Sequence, residues 1–117
     1  PFHGVSLDAA LAAGKPAAVL FATPALCQSR VCGPVLDVLM SQAPTVGDRV
    51  TLIHVEVYRS LNVDPGDAGA LTDAMRAYSL TFEPVLFLAG ADGVVRERLD
   101  GPYDAAECRE ALSRLAA

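Results

Sequence analysis

The sequence predicts an α/β fold: a mixed central sheet with a parallel βαβ half, an antiparallel ββα half, and helices on both faces. Three observations predict it. Two continuous apolar runs, PAAVLFAT at 16 to 23 and RVTLIHVEVY at 49 to 58, have the composition of strands buried on both faces. Between them PVLDVLMSQA, at 34 to 43, has helical spacing, so the connection is a crossover that returns the chain parallel and right-handed. A third apolar run, PVLFLAG at 84 to 90, meets Ala91-Asp92-Gly93 and then VVRERLDG, the pattern of a hairpin.

The elements follow in order. Ser6 can cap a short helix through Ala13, with Leu7 and Leu11 one turn apart, and Gly14-Lys15-Pro16 ends it. The strand from 16 to 23 runs straight into two cysteines, Cys27 and Cys32. In the next helix Val35, Leu39 and Met40 share helical spacing, and Pro44 and Gly47 close the element. After the strand at 49 to 58, RSLNVDPGDAG is a turn-rich loop, and Leu71, Ala74, Met75 and Tyr78 lie on one face of a further helix. The last helix opens on a capping box, Asp104 with Glu107, flanked by Tyr103 and Cys108 at the staple positions. Cys108, Ala111, Leu112 and Leu115 then repeat at i, i+3, i+4, i+7, which makes Cys108 a core residue rather than a redox one. No repeat or linker interrupts this order, and residues 1 to 117 form a single domain.

Composition narrows the function classes. At 52% hydrophobic and 20% charged residues, with no apolar run near the roughly 18 residues that cross a bilayer, the chain has the make-up of a globular domain without a membrane-spanning segment. A net charge of −5 and the lack of any Lys/Arg cluster exclude nucleic acid as the expected partner, because phosphates need a concentrated basic face. Arginine outnumbers lysine eight to one and alanine is abundant, as in bacterial proteins from high-GC genomes. Three cysteines are too few for a disulfide framework and suggest a pair plus a bystander. The start at Pro1, with no Met and no signal-like segment, fits the trimmed part of an exported or anchored protein, so an extracytoplasmic setting is expected, with a cytoplasmic one as the alternative. The chain is also expected to be a monomer.

With cysteines at the junction of a buried strand and the next helix, the chain resembles the thioredoxin fold over nearly its whole length. VLFATPALC corresponds to that family's central strand entering its redox turn, and Pro34 in GPVLDVL is similar to the proline of its active-site helix. Pro84, which follows AYSLTFE, resembles the family's cis-proline, and the Asp92-Gly93 hairpin and Gly101 also match. The resemblance implies a thiol-disulfide oxidoreductase that needs no cofactor and acts on a protein thiol or disulfide, or pairs with a reductase. The departures fall at the site. The family pair is Cys-x-x-Cys after an aromatic residue, whereas here Leu26 precedes Cys-x4-Cys, the chain has no Trp, and Val19 or Leu20 stands where reducing members bury an acid.

Spacing makes the pair a question of backbone state. Residues five apart in an α-helix have Cα atoms about 8.6 Å from each other, and a disulfide tolerates at most about 7 Å. A Cys27–Cys32 bond therefore requires that the segment between them is not regular helix when oxidised. Either a helix starts near Pro34 and leaves 27 to 32 as a loop, or Ser29 caps a first turn that partly unwinds on oxidation. Cys27 is the candidate nucleophile, nearest the strand end, with a following helix N-terminus and Arg30 to stabilise its thiolate, and Cys32 is the resolving residue. Glu83, beside Pro84, faces the same site in the family geometry and would push a thiol pKa up.

Other readings stand beside this one. Arg30 and Glu83 also fit as solvated surface charges, and the cysteine pair as two small core residues. Peroxiredoxins share the resemblance, but their threonine three residues before the peroxidatic cysteine is here Pro24, with Thr23 one step off, and Leu20 replaces an upstream proline. A metal site from Cys27, Cys32 and a histidine would need His54, which sits in a strand as a core or strand-face residue, whereas His3 is terminal. A non-catalytic module holding an extended peptide near Pro84 is the reading from a different class.

Overall fold

The computed structural model describes residues 7–22, 32–55, 57, 72 and 84–116. Among them are helices α1 (Leu7–Ala12), α2 (Cys32–Val46) and α3 (Ala105–Ala116), and strands β1 (Ala17–Phe21), β2 (Thr51–Val55), β3 (Val85–Ala89) and β4 (Val95–Asp100). The sheet order is β2-β1-β3-β4. β1 pairs parallel with β2 and antiparallel with β3, and β3 pairs antiparallel with β4. This is the mixed sheet that the sequence predicts. The helix expected around Leu71, Ala74, Met75 and Tyr78 lies outside the described residues, as does Ser6.

The period of two along the strands sorts the core into two layers. Ala18, Leu20, Leu52, Leu86 and Leu88 face one side, where they meet Val35 and Leu39 of α2 and Cys108, Ala111 and Leu112 of α3. Ala17, Val19, Phe21, Ile53, Val85 and Phe87 face the other, where Ala10 of α1 packs. All five residues of β1 and all five of β3 are buried, as continuous apolar runs between two helical layers require.

α2 departs from its sequence expectation at both ends. It includes Cys32 and Gly33, ahead of Pro34, because Gly33 has no Cβ to clash with the proline ring. It also runs through Pro44 to Val46 before a 3₁₀ turn at Gly47–Arg49, so Pro44 does not end the helix. The carbonyl that Pro44 leaves without a helical donor belongs to Met40, and both residues are exposed, so water can serve it. Met40 is 45% exposed and does not share the core face of Val35 and Leu39. The last carbonyls of α2 are met instead by Arg49, whose guanidinium donates to Thr45 O at 2.9 Å and Val46 O at 3.3 Å.

The hairpin between β3 and β4 is a three-residue connection. Gly93 at φ 81° donates to Gly90 O, Gly90 N–H donates to Val94 O, and Asp92 Oδ1 accepts from Val94 N–H. That last bond, with help from the Arg96 charge and against a smaller opposing effect of desolvation, holds the Asp92 carboxyl below its ordinary pKa. α3 begins as the sequence indicates: Glu107 N–H donates to Asp104 Oδ1 at 2.8 Å and Asp104 N–H to Glu107 Oε1 at 3.3 Å. Asp104→Ala is expected to cost about 1 kcal/mol through loss of this cap, read as a lower urea midpoint at unchanged m-value.

Candidate functional site

β1 ends at Phe21, and Ala22 is the last described residue before the segment that carries Cys27. That end of the sheet gathers other elements. In the antiparallel pairing Phe21 stands opposite Val85, so Pro84 lies at the same edge as Ala22. Pro84 is fully buried, and its carbonyl accepts from Gly101 N–H at 2.9 Å. Gly101 takes φ 67°, a left-handed conformation that costs glycine little and turns the chain out of β4 toward α3.

Two residues on, Tyr103 is buried and its hydroxyl donates to Val35 O, in the first turn of α2, at 2.8 Å. Pro84, Gly101, Tyr103 and the Cys32 end of α2 are therefore connected by two backbone-anchored hydrogen bonds. Burial, and secondarily the charge of a Cys108 thiolate, raises the Tyr103 pKa above its ordinary value of 10.0, so the hydroxyl remains a donor at neutral pH.

β2 contributes His54. It stands opposite Leu20 in the parallel register, on the α2 side of the sheet. Its Nε2 lies 2.5 Å from Ala22 O, and since a carbonyl only accepts, Nε2 carries the proton and donates. His54 is thus the half-buried, hydrogen-bonded strand residue that the sequence suggests, and it holds the peptide from which the cysteine segment departs.

Of the predicted site residues, the structure brings Pro84 and the start of α2 to one edge. Cys32 is the first residue of α2, and Pro34, exposed, is the third, where the N–H it lacks has no helical acceptor counted from Cys32. Cys32 is therefore helical, which the expected loop over 27 to 32 did not foresee. Cys27, Arg30 and Glu83 lie outside the described residues. The sequence placed Tyr103 in the staple but missed its bond to Val35. A buried tyrosine hydroxyl needs an acceptor, and that signal could have raised the question without naming the partner.

Cys108 is fully buried among Tyr103, Val35 and Leu112, and burial pushes its thiol up to about 11. It is an inert core thiol, not a third redox group. A hollow lined by Pro16, Gly90, Arg96, Glu97 and Arg114 lies at the opposite end of the sheet. Its arginines are already engaged, Arg96 with Asp92 at 2.9 Å and Arg114 with Glu97 at 2.7 Å. Among the described residues no group of three His, Cys, Asp or Glu can hold a metal ion, and no helix is long and apolar enough to cross a membrane.

No family model matches the chain, and no curated protein matches it in sequence. Among solved structures it is similar to the crystal structure of StoA from Bacillus subtilis, with a TM-score of 0.65 and 22% identity over 84% of this chain and 82% of that one. The shared architecture is the thioredoxin-like α/β fold that the sequence resemblance implies. At this identity the likeness speaks to fold, and chemistry has to be argued from the site.

Proposed function

We propose that this chain of thioredoxin-like fold is a thiol-disulfide oxidoreductase acting on protein substrates through Cys27 and Cys32. The observation that carries the reading is that β1, the strand before Cys27 in sequence, ends at the edge where Pro84 enters the sheet, and that Cys32 is the first residue of a 15-residue helix. The N-terminus of such a helix carries partial positive charge and favours thiolate over thiol.

The Cys27 thiolate attacks one sulfur of a substrate disulfide, forming a mixed disulfide and releasing the other substrate sulfur as a thiolate, which takes a proton from solvent. Cys32 then loses its proton and attacks the Cys27 sulfur. The Cys27–Cys32 disulfide forms and the second substrate thiol leaves. The substrate gains two electrons and the pair loses two, and run backwards the same steps oxidise a substrate dithiol. Arg30 supports the thiolate and Glu83 opposes it. Pro84 shapes the edge against which an extended substrate lies.

Thiol counting tests this. With three cysteines in all, the reduced native protein should show two reactive thiols, from Cys27 and Cys32, and the third, Cys108, only after unfolding. In an oxidising glutathione buffer the two should disappear together. If they stay titratable there, the proposal fails. Cys32→Ser should trap a mixed disulfide with a substrate and Cys27→Ser should abolish exchange; the reverse pattern would exchange their roles. Peptide binding that persists with both cysteines as serine, without exchange, would favour an interaction module instead.

A further inference from the structure

We infer that Tyr103 is a positioning residue for the redox pair: its hydroxyl, bound to Val35 O, fixes the first turn of α2 and so holds Cys32 ready for closure of the disulfide. The inference rests on the thiol-disulfide reading above and adds a residue that neither the cysteine motif nor the fold assigns. The bond spans 68 residues of sequence and is buried, at 2.8 Å. Val35 is three residues from Cys32 in the same helical turn, so a restraint on its carbonyl restrains the Cys32 backbone.

The other end of the restraint is firm. Tyr103 follows Gly101, whose N–H is bound to Pro84 O at 2.9 Å, and precedes Asp104, which is locked by its reciprocal bonds with Glu107. The ring itself lies in the core with Leu39, Cys108 and Leu112. The chain from Gly101 to Asp104 thus acts as a strap from the Pro84 edge to the turn that begins at Cys32. A carbonyl has two lone pairs, so Val35 O can serve Tyr103 as well as the helical ladder.

The consequence concerns the exchange equilibrium. Closing the bond orders both cysteines, and ordering costs conformational entropy. A turn already held by Tyr103 has less freedom to lose, so the reduced protein is pre-organised on its Cys32 side. Removing the hydroxyl frees that turn chiefly in the reduced state and makes the disulfide harder to form.

Tyr103→Phe, which keeps the ring and deletes the hydroxyl, tests this in glutathione redox buffers, where two glutathione thiols and the protein disulfide interconvert with oxidised glutathione and the protein dithiol. The fraction of Cys27 and Cys32 thiols is read by alkylation and mass. The expected result is a shift of the equilibrium constant toward the dithiol by roughly two- to tenfold, the range in which one hydrogen bond contributes. Hydrogen exchange of the reduced protein should quicken in the first turns of α2. Phe87→Leu, which loosens the core on the other face of the sheet, should lower stability and leave the constant unchanged. An unchanged constant in Tyr103→Phe, or a shift toward the disulfide, overturns the inference while leaving the redox function standing. A wild-type pair that forms no disulfide in any of these buffers overturns both.

Discussion

Phe21→Ala is expected to lower the free energy of unfolding by about 4 kcal/mol, within the range of buried phenylalanine truncations. Phe21 has no exposed surface, and its ring meets Phe87 edge-on, with centroids 5.8 Å apart and planes at 86°. The truncation removes the transfer free energy of a whole ring, forfeits an edge-to-face pair, and opens a void between β1, β3 and the layer that holds Ala10. Set against the roughly 5–15 kcal/mol that stabilises a typical domain, this is a large share. Urea unfolding of the reduced proteins measures it, and a loss under 2 kcal/mol would mean that the site collapses around the gap. On the proposed thiol-disulfide reading the position also bears on exchange, since Phe21 is the last residue of β1 and directly precedes the peptide that His54 holds. On that reading, a variant that still folds should show slower exchange.

Alkali is expected to weaken the fold from about pH 9 upward, by roughly 2 kcal/mol between pH 9 and pH 11 from Cys108 alone. The thiol has a folded pKa of about 11 against an ordinary value of 9.0, with burial as the cause. A buried acid with a raised pKa keeps its proton longer in the folded protein than in the unfolded chain. Above pH 9 the unfolded state therefore binds fewer protons, and stability falls as pH rises. Below pH 9 both states are protonated and this contribution is complete. Tyr103 acts in the same direction, from pH 10 upward, because its hydroxyl is also buried and raised from 10.0. Urea midpoints at pH 8 and pH 10.5 read the effect. Cys108→Ala should flatten the pH dependence up to about pH 10, and an equally steep loss in that variant would assign the effect elsewhere.

The strands and the last helix were legible in the sequence because their signals are local. β1 and β3 are unbroken apolar runs, and Asp104 with Glu107 forms a box whose spacing admits one geometry. α2 was harder to bound. A proline usually stops a helix, but Pro44 lies on the wet side, where the carbonyl of Met40 loses little by turning to water, a matter of which face is exposed. Met40 itself sits one residue from Leu39, about 100° around the axis, and falls off the core stripe.

Near the candidate site, the end of β1, the helix that follows and Pro84 were visible. The contacts that knit them together were not. Tyr103 to Val35 and Gly101 to Pro84 join residues far apart in sequence, and local patterns carry no term for such pairs.

The span from Val35 to Tyr103 also has a meaning in time. At translation rates of 5–20 residues per second, the 68 residues between them take roughly 3 to 14 seconds to appear. During that interval Cys27 and Cys32 are already made while Tyr103, the residue inferred to steady the first turn of α2, is not. On the proposed reading, a Cys27–Cys32 disulfide formed in that interval would form without the bond from Tyr103 to Val35, which can be made only after Tyr103 has been synthesised and docked.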